Sequence, residues 1–382
     1  MKKPKIRFKG FNDDWEQRKL GDVANIVGGG TPNTNKVDYW DGDIDWYTPA
    51  EIGDVIYIDS SKRKITEDGL NNSSAKMLPV GSVLFTSRAG IGKMAILRKK
   101  ACTNQGFQSI IPHSNELDSY FIFSRSEELK RYGEVVGAGS TFVEVSGKQM
   151  SLMDLMIPSM IDERIKISDY FGKLDQLITL HQRKCDEIKK LKKYMLQNMF
   201  PQNDEKAPKI RFNGFTDDWE QRKLNEICNY KSSSLTVADR TEQGKFPLYD
   251  ANGQIGMVDS FYMQEDYITV IKDGAGVGRI RRLPKNTAFI GTMGALTSKN
   301  SELNFLYYLL EKKDLSKQYT GSTIPHIYFK DYGRNDVLVS DIKEQQKIGL
   351  YFDQLDHLIT LHQRKCDELK NMKKFMLQNM FV

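Results

Sequence analysis

The feature that most constrains this chain is that parts of it occur twice. Residues 5–20 read KIRFKGFNDDWEQRKL and residues 209–224 read KIRFNGFTDDWEQRKL, differing only at Lys9/Asn213 and Asn12/Thr216. A longer repeat aligns 161–200 on 342–381 without gaps. Of its 40 positions 28 are identical, including LITLHQRKCDE at 177–187 and 358–368. The two offsets, 204 and 181, differ by 23 because the intervening segments, 21–160 and 225–341, differ in length. Those segments are each long enough for a domain and are unlike in sequence. Near-identical frames around unlike inserts imply inserts that are free to vary or be exchanged.

The long repeat has helical periodicity. Leu174, Ile178, His181, Cys185, Ile188, Lys192, Met195 and Met199 recur at a step close to 3.6, with Leu177, Leu191 and Leu196 widening the stripe. The second copy presents Leu355, Ile359, His362, Cys366, Leu369, Met376 and Met380. About 36 helical residues make a rod of roughly 55 Å, which cannot bury its stripe alone; the matching copy is its expected partner. Pro201 and Pro208 bound a polar linker that stops the first helix. The inserts instead alternate short apolar runs with glycines. Strands are expected at 82–87 and 267–272, helices near 120–131 and 305–310. The expected class is α/β. A first domain covers 1–160 (repeat 5–20, insert 21–160), a helix 161–200 and a linker 201–208. A second domain covers 209–341 (repeat 209–224, insert 225–341) and a second helix 342–382.

Composition adds exclusions. With 39% hydrophobic and 28% charged residues the chain can bury cores and is not a disordered tail. It has no apolar run near the roughly 20 residues that span a bilayer, and Met1-Lys2-Lys3-Pro4 leads into charged and aromatic residues rather than the apolar stretch expected of a signal peptide. Four cysteines without a Cys-x-x-Cys fit a reduced, cytoplasmic protein. The net charge of +6 is an average: +4 over 1–20, −3 over 21–160, +3 over 161–224, zero over 225–341 and +2 over 342–382.

Inside each insert the signs are sorted. Residues 69–115 contain no acid but hold Arg88, Lys93, Arg98, Lys99 and Lys100; residues 274–301 contain none but hold Arg279, Arg281, Arg282 and Lys285. Arg88-Ala-Gly90-Ile-Gly92-Lys93 aligns with Gly274-Ala-Gly276-Val-Gly278-Arg279. Both read as strand, glycine turn, strand. Glycine admits close backbone approach, and the cations beside it neutralise phosphates or reach base edges. A solvated hairpin with no specific role is the alternative.

Catalytic motifs fail on inspection. Met94 follows Lys93 where a Walker A loop needs Ser or Thr, and Arg279 occupies the third glycine position of a dinucleotide fingerprint. No Pro-Pro dipeptide exists to build the base-holding loop of an amino-methyltransferase, and no nuclease-like acidic cluster is evident. His181 and Cys185 recur four apart as His362 and Cys366. Antiparallel packing would gather two imidazoles and two thiols, either as a zinc site or as a polar register pin within an apolar seam.

Together the alternating repeats, the openings Trp15-Glu16-Gln17-Arg18-Lys19-Leu20 and its twin from Trp219, and Glu344-Gln345-x-Lys347-Ile348 resemble the specificity subunit of a type I restriction–modification enzyme. The resemblance covers essentially the whole chain; one departure is Glu163-Arg164 where the second copy keeps Glu344-Gln345. It implies two target-recognition domains, each reading half of a bipartite double-stranded DNA site. It also implies long helices pairing antiparallel about a pseudo-twofold axis and docking two methyltransferase subunits. S-adenosylmethionine and catalysis would belong to those partners, with motor and nuclease subunits joining for cleavage and no cofactor or metal on this chain. A rod of roughly 55 Å would set two readers more than one duplex turn apart. Two rivals are a coiled-coil scaffold or adaptor that binds no DNA and a self-contained methyltransferase or nuclease.

Overall fold

The computed structural model describes residues 3–53, 55–88, 90–138, 143–202, 205–260, 262–321 and 325–382. Ala89 of the first glycine turn and Asn203 and Asp204 of the linker lie outside them. The chain forms two compact units, residues 1–180 with 365–382, and residues 181–364. The expected boundaries at 160/161 and 341/342 therefore do not separate the units: the divisions fall within the two helices.

The first unit contains β1 (Glu16–Lys19), α1 (Leu20–Val23), β2 (Ala24–Gly28), β3 (Trp40–Tyr47), β4 (Tyr57–Ile58), β5 (Arg63–Ile65), α2 (Glu67–Asn71), β6 (Val83–Phe85), β7 (Met94–Leu97), β8 (Cys102–Thr103) and β9 (Gln108–Pro112). Then come α3 (Ser119–Ser124), α4 (Ser126–Gly137), α5 (Gly147–Ser151), β10 (Asp154–Ile157) and the start of α6 (Ile161–Asn198). One sheet has the order β2-β9-β6-β7-β4, a second β5-β3-β8, and β1 pairs with β10.

The second unit contains β11 (Glu220–Lys223), α7 (Leu224–Ile227), β12 (Cys228–Ser232), β13 (Phe246–Tyr249), β14 (Gln254–Val258), β15 (Tyr267–Ile271), β16 (Ile280–Leu283), β17 (Ala288–Phe289) and β18 (Met293–Ser298). It continues with α8 (Leu303–Lys313), α9 (Phe329–Tyr332), β19 (Asp336–Val339) and the start of α10 (Ile342–Met380). Its sheets run β12-β18-β15-β16 and β14-β13-β17, and β11 pairs with β19. Strand for strand this is the first unit without a counterpart of β4. The parallel pairing of β3 with β8 recurs as that of β13 with β17. Two inserts with unlike sequences thus share one topology.

The strands expected at 82–87 and 267–272 are β6 and β15, each buried along its whole length, as apolar runs inside a sheet must be. The helix expected near 120–131 is two helices. Asp118 caps α3 by accepting the Tyr120 and Phe121 N–H groups, and the backbone turns at Arg125 before α4 begins.

In the first unit the start of α6 packs on the end of α10. Phe171 stacks on Phe381, Asp175 binds Lys373 and the Cys366 thiol faces the Ile178 carbonyl. In the second, the end of α6 packs on the start of α10 through Phe200 with Phe352, Lys192 with Asp356, and Cys185 with the Ile359 carbonyl. Along each pair one sequence number rises as the other falls, so the segments are antiparallel. Leu174, Ile178, Cys366, Leu369 and Met376 are buried or half-buried in the first unit. His181, Cys185, Ile188, Met195, Leu355, Ile359 and His362 are so in the second. Leu177 and Leu191, which the periodicity placed at the seam, are exposed instead, because they fall to one side of it with Leu180 and Tyr194.

The short repeats lock onto this frame. Trp15 packs edge-on against Phe381 and beside Phe121; Trp219 does the same with Phe200 and Phe305. Arg7 donates two N–H bonds to the fully buried Glu163 at 2.6 and 2.7 Å, and Arg211 repeats this with Glu344 at 2.7 and 2.9 Å. The Glu163-Arg164 departure resolves here too. The Arg164 guanidinium donates to the Pro158 carbonyl at 2.6 Å, while the Gln345 amide donates to Ser340 at 2.7 Å, each tying a helix start to the loop before it.

Candidate nucleic-acid interface

Each glycine turn joins two antiparallel strands, β6 to β7 and β15 to β16. Gly90 and Gly92 have φ of +107° and +93°, Gly276 and Gly278 +88° and +79°, a region that side-chain-bearing residues rarely adopt. A Cβ at Gly92 would strike Lys130, and one at Gly278 would strike the Ser316 backbone, so both positions also demand the missing side chain. Thr86 closes the first turn: its hydroxyl donates to the Gly90 carbonyl at 2.7 Å and accepts the Lys93 N–H at 2.9 Å. In the second, Ile271 and Arg279 are joined by a 3.0 Å backbone bond, and Gly278 donates to the Ile271 carbonyl at 2.8 Å.

The cations of each window do not form one patch. Arg88 and Lys93 sit at the first turn, whereas Arg98, Lys99 and Lys100 lie beyond β7, about 13 Å along at 3.3 Å per residue. The Arg98 guanidinium stacks on Tyr57 at 4.8 Å, and Lys99 and Lys100 are exposed. In the second unit Arg279 and Arg281 both donate to the Ala251 carbonyl, at 2.5 and 3.2 Å. With Thr269 and Tyr307 they line a concavity of about 140 Å³. Lys285 lies past the far end of β16.

Arg282 is turned the other way. It pairs with Asp353 of α10, donates to Asn304 at 2.7 Å and covers the ring of Tyr307 at 4.6 Å. Burial disfavours its charge, but the Asp353 bond prevails and holds the guanidinium pKa above its usual value. Its place alternating with Arg281 on β16 accounts for the difference, since successive strand residues face opposite sides.

Sequence reasoning missed the segment that returns beside each turn. Val145 donates to the Ser87 carbonyl at 3.0 Å and Ile327 to the Lys272 carbonyl at 2.9 Å. Arg88 bridges Glu144, and Asp273 bridges His326. The available signal was a third short repeat, Gly139-Ser140-Thr141 and Gly321-Ser322-Thr323, just before these residues.

A second tie links each insert to the frame. Tyr120 of α3 donates to Asp175 of α6, which also takes the Lys373 ammonium at 2.7 Å. Tyr308 of α8 donates to Asp356 of α10 at 2.8 Å, and Asp356 binds Lys192 at 2.8 Å. Burial opposes the Lys192 charge, but hydrogen bonds with Asp356 and Glu311 outweigh it and raise its pKa. The Nδ1 atoms of His181 and His362 are 2.9 Å apart, a contact that requires one to donate and the other to accept. Both helix thiols face backbone carbonyls, and among the described residues no group of three or more His, Cys, Asp or Glu is placed to hold a metal ion. Nor, among them, is any helix long and apolar enough to cross a membrane.

The model of the type I restriction modification DNA specificity domain matches residues 12–190 and 216–371, once over each half of the chain, and the chain belongs to that family. The type I restriction enzyme MjaIX specificity subunit of Methanocaldococcus jannaschii is 26% identical over 95% of this chain and 92% of its own length. The EcoR124I/EcoR124II specificity subunit of Escherichia coli is 31% identical over 45% of this chain and 43% of its own. The crystal structure of a type I restriction–modification S subunit from M. genitalium shares the fold across 100% of this chain and 99% of its own, with a TM-score of 0.70 at 18% identity.

Proposed function

We propose that this chain is the DNA-reading, non-catalytic specificity subunit of a type I restriction–modification complex. Each unit reads one half of a bipartite double-stranded site. The observation that carries this reading is the double occurrence of one fold, each with a family match and each presenting a glycine turn with exposed cations. Arg88, Lys93, Arg279 and Arg281 act at the turns, and Arg98, Lys99, Lys100 and Lys285 act at the far ends of the strands, where phosphate contacts position without specifying. Arg282 supports the second domain on its helix.

The helices dock the catalytic partners. Leu177, Leu180, Leu191 and Tyr194 are exposed on the first repeat, and the matching Leu358, Leu361, Met372 and Phe375 on the second. An apolar set repeated on the solvent side of two near-identical helices suits two copies of one protein. These are methyltransferase subunits, which bring S-adenosylmethionine, and restriction subunits join them in the cytoplasm.

The test is exchange. Replacing 225–341 with the corresponding segment of another family member, then mapping methylated adenines in cells that supply the partner subunits, is expected to change one half of the motif and retain the other. A motif changed in both halves rejects the modular reading.

A further inference from the structure

Each glycine turn is flanked by a cross-strand pair that the basic residues do not account for. In the second unit Asp273 and His326 face one another across an antiparallel bridge. The backbone bonds lie on either side of them, from Gly274 to the Pro325 carbonyl at 3.0 Å and from Ile327 to the Lys272 carbonyl at 2.9 Å. A pair so placed brings its side chains closest, on one face. His326 Nδ1 is 2.7 Å from Asp273 Oδ1, and the His326 backbone exchanges two 2.8 Å bonds with Thr320. In the first unit the equivalent bridge joins Arg88 to Glu144, with charged groups 4.0 Å apart.

The order is inverted between the two. The turn strand carries the base and the returning segment the acid in the first unit; the second has the acid first and the imidazole opposite. All four side chains are 32–39% exposed. Polar pairs this exposed contribute little to folding, so fold maintenance does not explain retaining a pair while reversing it. A lone arginine here would bind any phosphate. A carboxylate beside it repels phosphate and leaves a donor next to an acceptor, the array that distinguishes base edges in the major groove.

We propose that Arg88 with Glu144, and Asp273 with His326, are the specificity-determining pairs of the two units. Arginine suits the guanine O6 and N7 acceptors, and the carboxylates suit the exocyclic amino groups of cytosine or adenine. This rests on the DNA-reading role proposed above.

The test uses the chain co-expressed with its partner subunits, with methylated motifs mapped for Arg88→Lys, Glu144→Gln, Asp273→Asn and His326→Gln. The first two are expected to change base preference only in the half read by the first unit, the last two only in the other half. Each should lower affinity for the original site about tenfold or more, with the salt dependence of binding retained. If a single variant fails to assemble, the paired change Arg88→Asp with Glu144→His transfers the second unit's pair to the first and should move that half alone. An unchanged motif, or a salt slope reduced by about one with the motif intact, overturns the assignment while leaving the DNA-reading role standing. No chain-dependent bipartite motif from the unaltered chain overturns that role and the assignment with it.

Discussion

Glu163 and Glu344 are carboxylates without solvent contact, each satisfied by two N–H groups of one arginine. Such a pair is a weak source of net stability but a costly thing to halve, because the survivor is left charged and desolvated. Arg7→Ala is therefore expected to destabilise the first unit by about 3–5 kcal/mol, read as a drop in the denaturant midpoint of that unit. The joint change Arg7→Met with Glu163→Leu should recover much of the loss. The residues concerned were visible in the sequence as repeated letters, but their role was not. Arg7 and Glu163 are 156 positions apart, and nothing local marks them as partners. Arg282 misled for the opposite reason: charge and neighbourhood matched Arg281, and only strand alternation and the presence of Asp353 separate them.

At the scale of elements, the long helices were legible because a 3.6-residue apolar period over about ten turns has no competing interpretation. Their second, exposed stripe was merged with the seam, since periodicity ranks residues by type and not by what covers them. The common topology of the inserts was hidden. A sheet tolerates almost any apolar residue at a buried position, so unlike sequences satisfy one strand order. What the inserts do share is the tyrosine that ties each to the frame. Asp175 and Asp356, and Lys373 and Lys192, belong to the repeats, while Tyr120 and Tyr308 come from the inserts. Tyr308→Phe removes a buried bond to a charged group and should cost about 1.5–3 kcal/mol. Hydrogen exchange is the suitable measurement, with protection falling in α8 and the start of α10 while β15 and β18 change less. Equal loss throughout the second unit would assign the tyrosine to general packing.

For the molecule as a whole, the alternating frames and inserts group differently in space from their order along the chain. Each unit takes the start of its own long helix and the end of the other. The sequence held the clue in the repeats themselves, since two copies that pair antiparallel must exchange ends; the unit boundaries nevertheless require contacts such as Phe171 with Phe381. Deleting 365–382 removes Leu369, Met380 and Phe381 from the core of the first unit, whereas the main core of the second contains none of these residues. The truncated chain is expected to lose the first unit's cooperative unfolding transition and keep the second's, as resolved by limited proteolysis with mass spectrometry. A protease-resistant fragment spanning 1–160 would contradict this.

That shared ownership of helix ends bears on how the chain is made. Domains of a growing polypeptide ordinarily fold in the order they leave the ribosome. Here the domain translated first waits for residues 365–382, while the domain translated second finds all its parts by residue 364. The earlier reader must pass most of synthesis with Trp15, Phe121 and Phe171 lacking their last neighbour. A ribosome that stalls between residues 364 and 382 therefore leaves a chain whose second unit has all its parts and whose first does not.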